Sequence, residues 1–219
     1  MNPLMRKGLL ALAVACLPAC NSTTATSIET LNLAIRGKAN EISLEQIRSV
    51  EADSLLILAD GAEGLYVAPD RSGERVNWYG ITEQVQTDHG RLTQLLGVKS
   101  DVLIPLAPND PFIAGLMQVV DGTQTTRLVD YPLAYQTGLE QHATYERGPL
   151  ERIEIVGTLY NLQRIDEHIW MPQINFKATN YYWLDPATGR VRRSVQYLSP
   201  DLPAMDITLV RLPDAGVVQ

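Results

Sequence analysis

The stretch Ile174-Asn175-Phe176-Lys177-Ala178-Thr179-Asn180-Tyr181-Tyr182-Trp183-Leu184-Asp185-Pro186-Ala187-Thr188-Gly189-Arg190-Val191 decides the fold class of this chain. Ile174, Phe176 and Ala178 alternate with Gln173, Asn175, Lys177 and Thr179, the two-residue period of a strand with one face buried. Asp185-Pro186-Ala187-Thr188-Gly189 then turns the chain, with Pro fixing φ and Gly free to take positive φ. On the return strand Val191, Val195 and Tyr197 share a face opposite Arg192, Ser194 and Gln196. Arg193 interrupts that apolar face, either as a sheet-edge residue or by pointing into a polar interior. Met205, Ile207 and Leu209 alternate with Asp206 and Thr208 in a last strand.

The same pattern extends toward the N-terminus. Residues 150–162 are read as strand, because β-branched side chains and Gly157 disfavour helix, Gly alone by about 1 kcal/mol relative to Ala. Residues 82–87 and 91–95 flank Asp88-His89-Gly90, and residues 55–58 and 65–68 flank a loop over 60–64, two hairpin signatures. Ser43-Leu44-Glu45-Gln46 has the form of a capping box, which predicts a short helix over 43–49. The fold class is therefore mainly β: a curved antiparallel sheet, half-barrel or sandwich-like, with a few short helices. With no internal repeat, coiled coil or linker, residues 41–219 read as one domain.

At the N-terminus Arg6 and Lys7 precede the uncharged stretch 8–19, which ends in Leu17-Pro18-Ala19-Cys20. Those 12 residues are too few to cross a membrane as a helix, which takes about 20. Residues 1–19 read as a lipoprotein signal peptide, with Cys20 receiving diacylglycerol and an N-acyl chain such as palmitate. Cys16 is a competing but poorer acceptor, and an ordinary signal peptide with an incidental cysteine is the plainer alternative. Residues 20–40 form the lipidated N-terminus and a tether rich in Ser, Thr and Ala. Asn21, rather than Asp, follows Cys20, which by the enterobacterial sorting rule sends the chain to the outer membrane, its domain in the periplasm. Cys20 is then the only cysteine left, so a core and not a disulfide must hold the domain.

Removing Arg6 and Lys7 leaves 16 basic residues against 25 acidic ones, a net charge of −9. That acidity excludes nucleic acid as a partner and leaves the lipid itself as the contact with the outer membrane. His89, His142 and His168 lack the spacing of a metal pair and read as surface residues. Asp166 and Glu167 could serve as a glycosidic acid pair but are better read as charged surface. No nucleophile elbow, phosphate loop or dinucleotide fingerprint is present, so neither an enzyme nor a cofactor is expected. The aromatics Tyr181, Tyr182 and Trp183, with Trp78, Tyr79, Trp170 and Tyr197, either pack the core or present flat rings to a glycan or partner. Strand alternation sets Tyr181 and Trp183 on one face and Tyr182 on the other. The candidate binding residues are Trp78, Asn180, Tyr181, Trp183 and Arg193.

Three stretches resemble the YjbF-type lipoproteins, also called group-four capsule polysaccharide lipoproteins. Ser43-Leu44-Glu45-Gln46-Ile47 with Ala52-Asp53-Ser54-Leu55 is similar to the family's opening helix and first strand. Trp78, Asp88-His89-Gly90-Arg91-Leu92 and Leu96-Gly97 follow its middle segment. Thr179-Asn180-Tyr181-Tyr182-Trp183-Leu184-Asp185 and Pro200-Asp201-Leu202-Pro203 resemble its hairpin and closing turn, with Ser199 in place of an expected Gly. The resemblance implies an accessory role in capsule or exopolysaccharide assembly or export, through polysaccharide export proteins or the polysaccharide itself, and no defined reaction. Two rival classes are a periplasmic carrier of lipid or another hydrophobic ligand, and a polysaccharide-modifying enzyme.

Overall fold

Ser43 is the N-cap of α1 (Leu44–Ser49): its hydroxyl accepts from the Gln46 amide while the Gln46 side chain accepts from the Ser43 amide. The structure, a computed structural model, describes residues 42–69 and 73–211. The signal, Cys20 and the tether lie outside the described residues. After α1 come β1 (Asp53–Ala59), β2 (Ala62–Ala68), β3 (Arg75–Tyr79), β4 (Gln84–Asp88), β5 (Arg91–Leu96) and β6 (Val102–Leu103). A short helix α2 (Pro111–Ala114) precedes β7 (Thr123–Tyr131), β8 (Gln136–Ile155), β9 (Thr158–Met171), β10 (Phe176–Leu184), β11 (Val191–Gln196) and β12 (Met205–Arg211).

Each strand pairs antiparallel with its neighbours in sequence, and β12 pairs with β1 through Leu56 to Thr208 and Ile57 to Ile207. The 12 strands thus close into a barrel, where a half-barrel or sandwich was expected from sequence. Closure removes the two free edges that an open sheet would leave. Among the described residues no helix is long and apolar enough to cross a membrane. The outer wall over β8–β10 carries exposed Glu140, Glu146, His168 and Lys177, residues that a lipid-facing barrel wall excludes.

Three hairpins turn on two residues that both have positive φ: Asp60-Gly61, His89-Gly90 and Val156-Gly157. That conformation matches the twist of the flanking strands. The run 150–162 is strand as expected, but it is two strands, with a β-branched Val156 held at φ 51° in the turn. At the end of the barrel opposite the Val156-Gly157 turn, β10 starts at Phe176 and not at Ile174. Pro172–Ile174 forms a 3-10 turn and Asn175 takes the left-handed conformation, as Pro132–Ala134 and Tyr135 do before β8.

The core divides between inward faces. Leu55, Ile57, Val76, Trp78, Val85 and Ile207 belong to one cluster, drawn from β1, β3, β4 and β12. A second forms where Phe112 and Leu116, on the segment after β6, pack against Tyr145, Ile165 and Tyr182 of β8–β10. Phe112 meets Tyr182 edge-on at 4.9 Å, so this segment fills one side of the lumen. On β11 the expected faces are exchanged. Ser194 and Gln196 are the buried ones, and a register shift lets Val191 pair with Leu184 while Arg193 pairs with Trp183 outside.

Gly90 tests this packing. A Cβ there would sit 2.6 Å from the Val191 Cβ, whereas one at Gly61 would meet nothing within 4 Å, and both glycines have positive φ. Gly61→Ala should cost about 1–2 kcal/mol from backbone strain alone, and Gly90→Ala more. Equal shifts of the urea midpoint would show that Val191 simply moves aside.

Candidate functional site

The inward register of β9 reads Ile165, Glu167, Ile169, Met171, so one carboxylate is carried into the lumen between apolar neighbours, and all four residues are buried. Glu167 Oε1 accepts from Arg127 Nη1 at 2.7 Å and from the Tyr145 hydroxyl at 2.7 Å. Its Oε2 accepts from Asn180 Nδ2 at 2.7 Å and from the Tyr182 hydroxyl at 3.0 Å. Arg91 Nε approaches to 3.6 Å, an ion pair beyond hydrogen-bond reach. Arg127 also grips Asp110 with two hydrogen bonds, 2.6 and 3.0 Å, and donates to the Tyr145 hydroxyl. Arg91 donates to Gln141 at 2.8 Å, and Gln196 accepts from the Leu92 amide at 2.9 Å.

Two guanidiniums therefore face two carboxylates where solvent does not reach, and the charges balance. Burial pushes the Glu167 carboxyl upward, but the Arg91 and Arg127 charges and the Asn180 and Tyr145 donors outweigh it and hold it well below the usual carboxylate range. Burial and the Glu167 charge raise the Tyr145 and Tyr182 hydroxyls well above theirs, so both remain donors. Glu167 was expected at the charged surface; it is sealed inside because β9 points it inward. Asp166, one residue earlier, lies on the opposite face in a bidentate pair with Arg164, 2.7 and 3.1 Å. The two carboxylates cannot flank one glycosidic bond.

The five candidate binding residues separate. Asn180 is buried in the network, its Oδ1 accepting from the Tyr197 amide at 2.7 Å. Trp78 points inward and donates to Thr87 at 2.8 Å. Tyr181 and Trp183 share the outer face, ring centroids 6.1 Å apart, with Arg193 over Trp183 at 5.3 Å and paired to Asp206. Arg193 is thus neither a sheet-edge residue nor interior. This aromatic group is roofed by the chain itself: Ile155 and Leu162 of the β8–β9 tip pack on it, and Trp183 Nε1 donates to Glu151 at 2.9 Å.

Two open surfaces stand out among the described residues. On the outer wall Thr126, His142, Trp170 and Lys177 stand in cross-strand register from β7 to β10, beside Thr144, His168 and Thr179 in the next row. All of these except Thr126 border a shallow groove of about 520 Å³. Of the three tryptophans, Trp78 is 3% and Trp183 9% exposed, while Trp170 is 46% exposed. Lys177 Nζ lies 5.6 Å from its ring centroid and the His142 ring 5.7 Å away. His142 and His168 are surface residues, as expected, each 3.5 Å from an exposed glutamate. The second opening is a cup of about 380 Å³ at the barrel end where β1 begins, floored in part by Trp78, Val76, Leu55 and Leu209. Among the described residues no group of His, Cys, Asp and Glu could hold a metal ion.

Sequence reasoning counted Trp170 among the aromatics without placing it at a site. It missed Glu167, Arg127 and Arg91, although a lone charge in an apolar i, i+2 register was the available signal for Glu167.

Residues 28–210 match the family model described as Group 4 capsule polysaccharide lipoprotein gfcB, YjbF. That match starts beyond Cys20. Among solved structures the chain is similar to the hypothetical lipoprotein YmcC from Escherichia coli K12, with a TM-score of 0.72 and 20% identity over 89% of this chain and 98% of that one. At that identity the likeness speaks for the fold. A putative lipoprotein from Parabacteroides distasonis matches at a TM-score of 0.34 and 10% identity, covering 74% of this chain and 95% of that one. A putative exported protein with YmcC-like fold from Bacteroides fragilis matches at 0.32 and 14%, with the same coverages. Those two scores are too low to argue from. No curated protein matches the chain.

Glu167→Gln should destabilise the barrel by about 3–5 kcal/mol at neutral pH, since two buried guanidiniums would face Asp110 alone. The pH dependence has a definite sign. A carboxyl depressed in the folded state contributes fully above its unfolded pKa of about 4.3 and progressively less as pH falls below it. The gap between the urea midpoints of wild type and variant should therefore begin to narrow near about pH 5 and go on narrowing through about pH 3. A gap that stays constant across that range would mean that Glu167 is not the charged hub.

Proposed function

Because the chain belongs to the group 4 capsule polysaccharide lipoprotein family, we propose that it is a lipid-anchored accessory protein of capsule or exopolysaccharide assembly or export that holds the polymer on the wall around Trp170. The observation that carries this reading is the exposed indole in the middle of a hydroxyl- and imidazole-bearing row. A sugar ring presents an apolar face that can stack on the indole, and its hydroxyls can reach Thr126, His142 and Thr179. Lys177 adds a cation suited to an acidic polymer. The role is binding rather than catalysis. The lipid on Cys20 would tether the domain to the periplasmic side of the outer membrane and raise its local concentration beside the export proteins.

Purified capsule polymer should bind the mature chain, and Trp170→Ala should weaken that binding at least about fivefold, the loss expected from one stacking contact. Affinity electrophoresis through polymer-containing gel measures it. Unchanged retardation of Trp170→Ala would move the polymer off this wall. In cells, Cys20→Ser should lower exported polymer and release the chain from the membrane fraction; full export from that strain would end the tethering claim.

A further inference from the structure

The cup is built unlike the wall. Its floor is apolar, with Leu55, Val76, Trp78, Phe112 and Leu209 among the lining side chains, and Leu55 and Leu209 face each other across the β1–β12 seam. Its rim bears guanidiniums in a protein whose formal charge is −7: Arg190, Arg192 and Arg193 are among the residues lining it, beside His89, and Glu74 is the single acid among the described lining residues. Not all of that charge is open. Arg193 is held by Asp206, and His89 Nδ1 lies 2.7 Å from Asp88. Arg192 reaches the Tyr160 hydroxyl with Nη2 at 3.1 Å, while its Nε is buried with no hydrogen-bond partner. Arg190, in the β10–β11 turn, uses its backbone amide on Thr188 Oγ1.

A buried apolar floor favours a hydrocarbon or ring system, and guanidinium groups at its edge favour an anion. A volume of about 380 Å³ is at the small end for ligand sites and too small for a polymer. The geometry points to a binding site for an anionic amphiphile, a single apolar tail ending in a carboxylate or phosphate, with the tail on Trp78 and Leu209 and the head at Arg190 and Arg192. This site is separate from the glycan wall. It opens at the end of the barrel where β1 begins and β12 ends, whereas Trp170 lies next to the last residue of β9, toward the other end.

The test uses the mature chain from residue 20, carrying Cys20→Ser so that no attached lipid competes. The probe is 11-(dansylamino)undecanoic acid, followed by fluorescence. The acid should bind saturably, its methyl ester about tenfold more weakly, as the loss of one charge-assisted contact predicts. Arg190→Glu should weaken the acid to a similar degree and leave the ester unaffected, Arg190→Lys should retain the preference for the acid, and all variants should keep the wild-type urea midpoint. Trp170→Ala should bind the acid as wild type does, which separates this site from the wall. No saturable binding, equal affinity for acid and ester, or indifference to Arg190→Glu would overturn the proposal. Displacement of the probe by inorganic phosphate alone would also overturn it, by assigning the rim to a free anion.

Discussion

A carboxylate out of reach of water, Glu167, is the point where polar side chains from several strands of the barrel meet. Through its own bonds and those of Arg127, Arg91 and Gln196 it connects β5, the start of α2, and β7 through β11. The arrangement answers a problem of size. Small barrels of about eight strands fill their interior with wall side chains, and barrels of about sixteen leave a channel. Twelve strands fall between. Here the lumen is occupied by the segment around Phe112 and by long polar side chains that meet at mid-barrel. The low dielectric that strengthens such a network also penalises any gap in it, and the one at Arg91 Nε, which has no hydrogen-bond partner, is offset by the Glu167 charge 3.6 Å away.

The hairpins were legible because their chemistry is local. Asp60-Gly61 and His89-Gly90 carry turn residues between alternating runs, and both form tight turns. Val156-Gly157 forms the same turn but was read through as strand, since Val is the residue least suited to positive φ; its neighbours Ile155 and Leu162 hold it by packing on Trp183. Closure was not legible. The seam between β1 and β12 joins residues about 150 positions apart in the chain, and no periodicity within either strand announces its partner.

Inside-outside assignment failed where polarity and parity disagree. The reading of β11 put its valines inward and its Ser194 and Gln196 outward, as the rule for a solvated sheet would have it. In this barrel the interior is partly polar, so Ser194 and Gln196 are inside, and the irregularity near Arg192 shifts the register between Val191 and Arg193. The tryptophans show the same limit. Trp78 and Trp183 were weighted by composition and neighbourhood, yet one faces the lumen and the other lies beneath the hairpin tip, while among the described residues no element crosses the wall at Trp170.

These placements separate two kinds of surface that one small domain can offer at once. The wall beside Trp170 is formed by cross-strand rows, so its spacing is fixed by the sheet, and it can accept a ligand that extends beyond the protein in both directions. The cup has a closed floor and a rim set by turns, so it admits a ligand end and excludes a chain that must pass through. Both depend on the same rigid frame. Glu167 precedes Trp170 by three residues on β9 and faces the opposite way, so the bonds that lock it inside also fix the backbone on which the exposed indole stands.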